Sequence, residues 1–154
     1  MTTHAKEEDR PEVADPDATR AEWLGRLNAL ATQIKGYAEA DGWRTRTVMI
    51  RTRDSILGRF EVPLLLMERE AIQIALNPVS RFVGDSEGLV ELYVVPGYEV
   101  LASLRLGQGG RWALDYAPAE DRRAPAHEPA PLDLTEVTLN SVLDLMVAEH
   151  ERQI

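Results

Sequence analysis

Cysteine is absent from this 154-residue chain. Its absence excludes disulfides, thiolate zinc sites, iron–sulfur clusters and cysteine nucleophiles. Lysine is nearly absent too, since Lys6 and Lys35 stand against 15 arginines. Positive charge is in deficit overall: 17 basic residues face 26 acidic ones, for a net charge of −9. That balance disfavours a nucleic acid partner. Long apolar runs are missing as well. The longest, Val62 to Met67, falls far short of the roughly 20 residues that span a bilayer, and no apolar stretch follows Met1 to Asp9. No membrane association and a cytoplasmic location are therefore expected. Histidine is sparse. His4, His127 and His150 lie far apart, in a tail, a linker and a last helix, and no pair has metal-ligand spacing. No cofactor is expected.

What remains is enough chain for one domain with a substantial core. Residues 1–17 carry six acids and almost nothing apolar, and read as a disordered acidic tail. A helix is expected to start at Asp15 or Asp17, where Pro16 suits a first helical position. Trp23, Leu24, Leu27, Leu30, Ala31, Ile34, Tyr37 and Ala38 form one apolar stripe at helical spacing, and Gly42 supplies a left-handed stop.

From Trp43 the period changes to two. Strands are expected over 44–53, 59–67, 71–77, 89–95, 98–106 and 111–116. Their short connections make antiparallel neighbours. Pro63 cannot donate to a ladder, so its strand reads as an edge or as bulged there. Most of the aromatic residues, Trp23, Trp43, Trp112, Tyr93, Tyr98, Tyr116, Phe60 and Phe82, are assigned to the core. Residues 117–132 hold four prolines and five alanines and read as a linker. A helix over 133–154 follows, with Asp133 and Glu136 at capping-box spacing. The fold class is α+β: a helix-plus-sheet domain over 18–116, the linker, and a last helix packing on the same domain.

Charge is unevenly distributed. Residues 1–20 carry −3 and 117–154 carry −5, whereas 21–116 carry only −1. Within that near-neutral middle, Arg44, Arg46, Arg51, Arg53 and Arg59 cluster with Asp54 as the single acid among them. Arginine holds carboxylate and phosphate bidentately, so these five are the candidate binding residues. Two other readings stand beside this. Arginines guard exposed strand edges, and the acidic tail is itself a source of counter-charge. Period two places Arg44 and Arg46 on one face of the strand and Arg51 and Arg53 on the other.

Asp54, Glu61 and Glu68 are the candidate metal ligands. An order of long helix and then acid-bearing strands resembles the helix-then-sheet nucleases, which hold magnesium with an acid and an acid–X–Lys strand. The resemblance implies a magnesium-dependent phosphodiesterase as the alternative function. The chain departs from that pattern because neither Lys6 nor Lys35 lies on a strand. The run Gly107, Gln108, Gly109, Gly110 lacks the Lys-Ser/Thr of a phosphate loop and reads as a hairpin turn.

In the order of its first helix, five of its strands and its last helix, the chain is similar to class I type III secretion chaperones. That resemblance implies a small acidic protein that dimerises and binds an extended client segment. The short 78–87 stretch would have to replace the chaperones' middle helix, and the Pro-rich linker is a second departure. With no catalytic set assembled, a non-enzymatic binding or adaptor protein with a protein partner, and a homodimer, are the expectation.

Overall fold

The computed structural model describes residues 13–97, 99–116 and 131–152. Residues 1–12 of the expected tail over 1–17, residues 117–130 of the expected linker over 117–132, and Tyr98, His4, His127 and Lys6 lie outside the described residues.

Helix α1 runs Pro16–Ala40. The Asp15 carboxylate caps it by accepting from Asp17 N–H at 3.1 Å and Ala18 N–H at 3.2 Å. Pro16, with no N–H to satisfy, occupies the first turn. Gly42 ends the helix at φ +90°, a conformation a side chain would resist. The buried residues are Trp23, Leu27, Leu30, Ala31, Ile34 and Ala38, the interior of the expected stripe.

Seven strands follow: β1 (Arg44–Asp54), β2 (Gly58–Arg69), β3 (Ile72–Ser80), β4 (Gly88–Val95), β5 (Val100–Leu106), β6 (Trp112–Tyr116) and β7 (Leu132–Asp133). They form one antiparallel meander in sequence order. Helix α2, Glu136–Arg152, closes the described chain. Leu27 and Ile34 of α1, Leu139 and Met146 of α2, and Leu65, Met67, Leu104 and Leu114 of the sheet share one core. Both helices therefore cover the same sheet face.

Among the described residues the sheet has seven strands where five or six were expected. The additional one, β7, forms where the linker gives way to the last helix, and Asp133 pairs with Ala113 there. Asp133 is thus a strand residue and does not cap α2. Thr135 takes that role. Its hydroxyl accepts from Thr138 N–H at 3.1 Å, while the Thr138 hydroxyl accepts from Thr135 N–H at 2.9 Å, a reciprocal box of the same spacing as Asp133–Glu136 but two residues further along the chain.

Pro63 sits on a strand that is not an edge, since β2 lies between β1 and β3. The missing donor is tolerated for a local reason. β1 pairs with β2 along its whole length, but β3 reaches only Leu65–Arg69 of β2. Over 58–64 the β1–β2 pair is a two-stranded ribbon projecting past the sheet, and one side of Pro63 has no neighbour to satisfy.

Candidate functional site

The ribbon carries the candidate arginines. Its register is continuous from Arg44↔Glu68 to Asp54↔Gly58, so no bulge separates the two arginine pairs. Arg44 and Arg46 lie on the even-numbered face, Arg51 and Arg53 on the odd-numbered one. Both pairs are nevertheless exposed. The reason is a change in which face looks inward. Near the sheet the odd-numbered Leu65 and Met67 are buried, whereas towards the tip the even-numbered Val62 is buried and Phe60 and Ile50 pack on the core. The switch falls at Val62–Pro63, where two consecutive residues are buried. Twist of a two-stranded ribbon supplies the rotation.

The structure divides the five arginines into two groups. Arg44 makes a cross-strand ion pair with Glu68 on the outer, even-numbered face. Arg46 lies beside it in a shallow depression with Thr45, Leu66 and Gln73. At the tip, Arg51, Arg53 and Arg59 join Thr52, Phe60 and Glu61 around an open depression of about 610 Å³. Arg53 stands directly opposite Arg59, and Arg51 opposite Glu61. Among the described residues no ion pair or side-chain hydrogen bond engages the guanidinium groups of Arg46, Arg51, Arg53 or Arg59. Met49, half exposed, continues the odd-numbered face towards the sheet.

The candidate carboxylates do not converge. Asp54 shapes the tip turn: its Oδ1 accepts from Ile56 N–H at 2.7 Å and Leu57 N–H at 2.9 Å, and its Oδ2 from the Ser80 hydroxyl at 3.4 Å. Glu61 is exposed on the odd-numbered face, and Glu68 faces the other way against Arg44. Seven residues of strand, about 23 Å, separate the last two. Among the described residues no group of three or more acids and histidines is placed to hold a metal ion. Asp54 is explained by its turn, Glu68 by its ion pair. His150 lies at the end of α2, beside Val94, Pro96 and Glu99.

Two features escaped the sequence. Arg81 is almost fully buried, and no helix forms around it in residues 79–88. Its guanidinium donates to Glu22 at 3.0 Å and to the Glu87 carbonyl, and it lies over the rings of Phe82, at 4.4 Å, and Trp23, at 5.8 Å. It pins the β3–β4 connection to α1 in place of a middle helix. A basic residue next to Phe82 in an otherwise acidic loop was the available signal. The second is the outer edge of β1: eleven residues that, among the described residues, pair on one side only.

No helix among the described residues is long and apolar enough to cross a membrane. No family model matches this chain, and neither the curated proteins nor the solved structures yield a similar one.

Proposed function

We propose that this chain is a non-enzymatic binding or adaptor protein that holds an acidic protein segment on the odd-numbered face of the β1–β2 ribbon. One observation supports the reading: Arg53 and Arg59 face each other across the ladder, with Arg51 beside them, and no carboxylate among the described residues forms an ion pair with any of the three. Like charges directly opposite destabilise a strand pair by up to about 1 kcal/mol. A carboxylate lying between the two guanidiniums would turn that repulsion into two charge-assisted hydrogen bonds. Met49 offers an apolar contact one step further along the same face. The overall charge of −9 opposes the approach of a long polyphosphate. A short acidic peptide with an apolar residue next to its acids meets less opposition.

The test is fluorescence anisotropy with the full chain and a labelled peptide of alternating glutamate and leucine. Binding that weakens steadily with added salt is expected. The double variant Arg53→Ala, Arg59→Ala should lose at least about tenfold in affinity without losing thermal stability. Binding insensitive to salt, or unchanged in that variant, would reject the reading. Tighter binding of a single-stranded oligonucleotide than of the peptide would replace the partner class.

A further inference from the structure

The open edge of β1 is self-complementary. Its sequence, Arg44-Thr45-Arg46-Thr47-Val48-Met49-Ile50-Arg51-Thr52-Arg53-Asp54, places an Arg-Thr-Arg triplet at each end of an apolar centre. We infer that two copies of this chain associate by antiparallel pairing of β1 with β1, about a twofold axis at Met49.

The backbone first sets which groups are free. Met49 stands opposite Pro63, which has no N–H, so this pair cannot exchange the two hydrogen bonds of a bonded antiparallel pair. Met49 therefore belongs to the alternate set, whose N–H and C=O point away from β2. Thr45, Thr47, Met49, Arg51 and Arg53 thus present a row of main-chain donors and acceptors to the open side. The ladder with β2 has no bulge, and β1 contains no proline to blunt that row.

The side chains then select the register. A twofold axis perpendicular to the sheet keeps the faces continuous, so only same-face residues can meet. With the axis at Met49, Arg44 meets the partner's Asp54, Arg46 meets the partner's Thr52, and Thr47 meets the partner's Arg51. Thr45 meets the partner's Arg53, and Val48 meets the partner's Ile50. Thr45 brings a further counter-charge, because its hydroxyl donates to Glu39 at 2.6 Å, which sets that carboxylate on the face where the partner's Arg53 arrives. No arginine opposes another. Axes at Arg46 or Arg51 would set like guanidiniums together, and other same-face registers shorten the pairing. Edge arginines keep copies apart only when they face one another. Here the Arg–Thr alternation removes that barrier in one register and retains it in others. The pairing involves the strand edge and stands independently of any acidic partner on the ribbon face.

The chain's lack of cysteine makes a positional test clean. In a bonded antiparallel pair the two Cα atoms lie about 5.5 Å apart, within disulfide range. Full-length Met49→Cys should cross-link to a dimer under mild oxidation, while Thr45→Cys, whose two copies lie eight residues apart in this register, should not. Sedimentation equilibrium of the unaltered chain should give twice the chain mass. Thr47→Arg, which sets a guanidinium against the partner's Arg51, should raise the dissociation constant at least about tenfold. Adding Arg51→Thr should restore it, since the exchange regenerates the same pairing. A monomer at all accessible concentrations, equal cross-linking at both cysteine positions, or no rescue by the exchange would overturn the inference.

Discussion

The Arg69 guanidinium donates to Asp144 at 2.9 Å, joining the end of β2 to the middle of α2 across 75 residues of sequence. The same group donates to the Asp41 carboxylate at 3.2 Å and lies over the Trp43 ring, 4.4 Å from its centroid. One side chain thus ties the C-terminal cap of α1, the sheet and α2 together. The Asp144 hydrogen bond raises the pKa of Arg69 above its ordinary value against the opposing pull of burial, with both carboxylates adding to the rise. The charge is therefore present throughout the working pH range.

Replacing Arg69 by Ala should lower stability by about 1–3 kcal/mol, read from chemical or thermal unfolding. Each partly exposed ion pair contributes up to about 1 kcal/mol, and the ring contact a similar amount. Asp144→Asn should cost less than half of that, and the difference should shrink at high salt. Arg69→Lys should recover little, because an ammonium cannot reach two carboxylates from a position stacked on a ring.

The β2–β3 turn should improve on mutation. Glu70 and Ala71 form a two-residue hairpin loop with φ of 52° and 70°. Both lie in the left-handed region that this turn demands and that glycine and asparagine adopt most readily. Ala71→Gly and Glu70→Asn should each raise stability by about 0.5–1 kcal/mol, measured as an increase in denaturation midpoint at unchanged slope.

Gly88 permits the reverse experiment. A Cβ there would fall 2.7 Å from two ring atoms of Trp23 and 3.4 Å from Leu106 Cβ. The Trp23 ring is buried against β4 and cannot retreat without opening the core. Gly88→Ala should cost about 1–3 kcal/mol, with a change in near-ultraviolet circular dichroism from the displaced indole. An unchanged melting curve would show that the ring shifts freely.

The cap of α2 separates two readings of one stretch of sequence. Thr135→Ala should destabilise by about 1 kcal/mol. Asp133→Asn should have a smaller effect, because that side chain lies on an exposed strand and not at the helix start. Equal losses in the two variants would return the cap to Asp133.

Much of the architecture follows from local chemistry. Asp15, Pro16 and Gly42 bound α1, the 3-and-4 spacing from Trp23 to Ala38 marks its buried face, and short turns between alternating strands impose antiparallel neighbours. Each signal acts over a few residues, through backbone conformation or periodic burial, and is legible wherever it occurs. The candidate arginines and carboxylates were likewise visible by type, and their opposite placement on β1 follows from period two.

Tertiary structure decided the rest. Only the unequal reach of β3 along β2 makes Pro63 harmless and turns the hairpin tip into a free ribbon. Only the twist at Val62–Pro63 brings both arginine pairs into solvent from opposite faces. Asp54 and Glu68 acquire their roles from Ile56, Leu57 and Arg44, and Arg69 from Asp144. Composition supplies the charges, but their meaning depends on which partners a fold brings within about 4 Å, and contacts between residues far apart in sequence leave no local pattern to read.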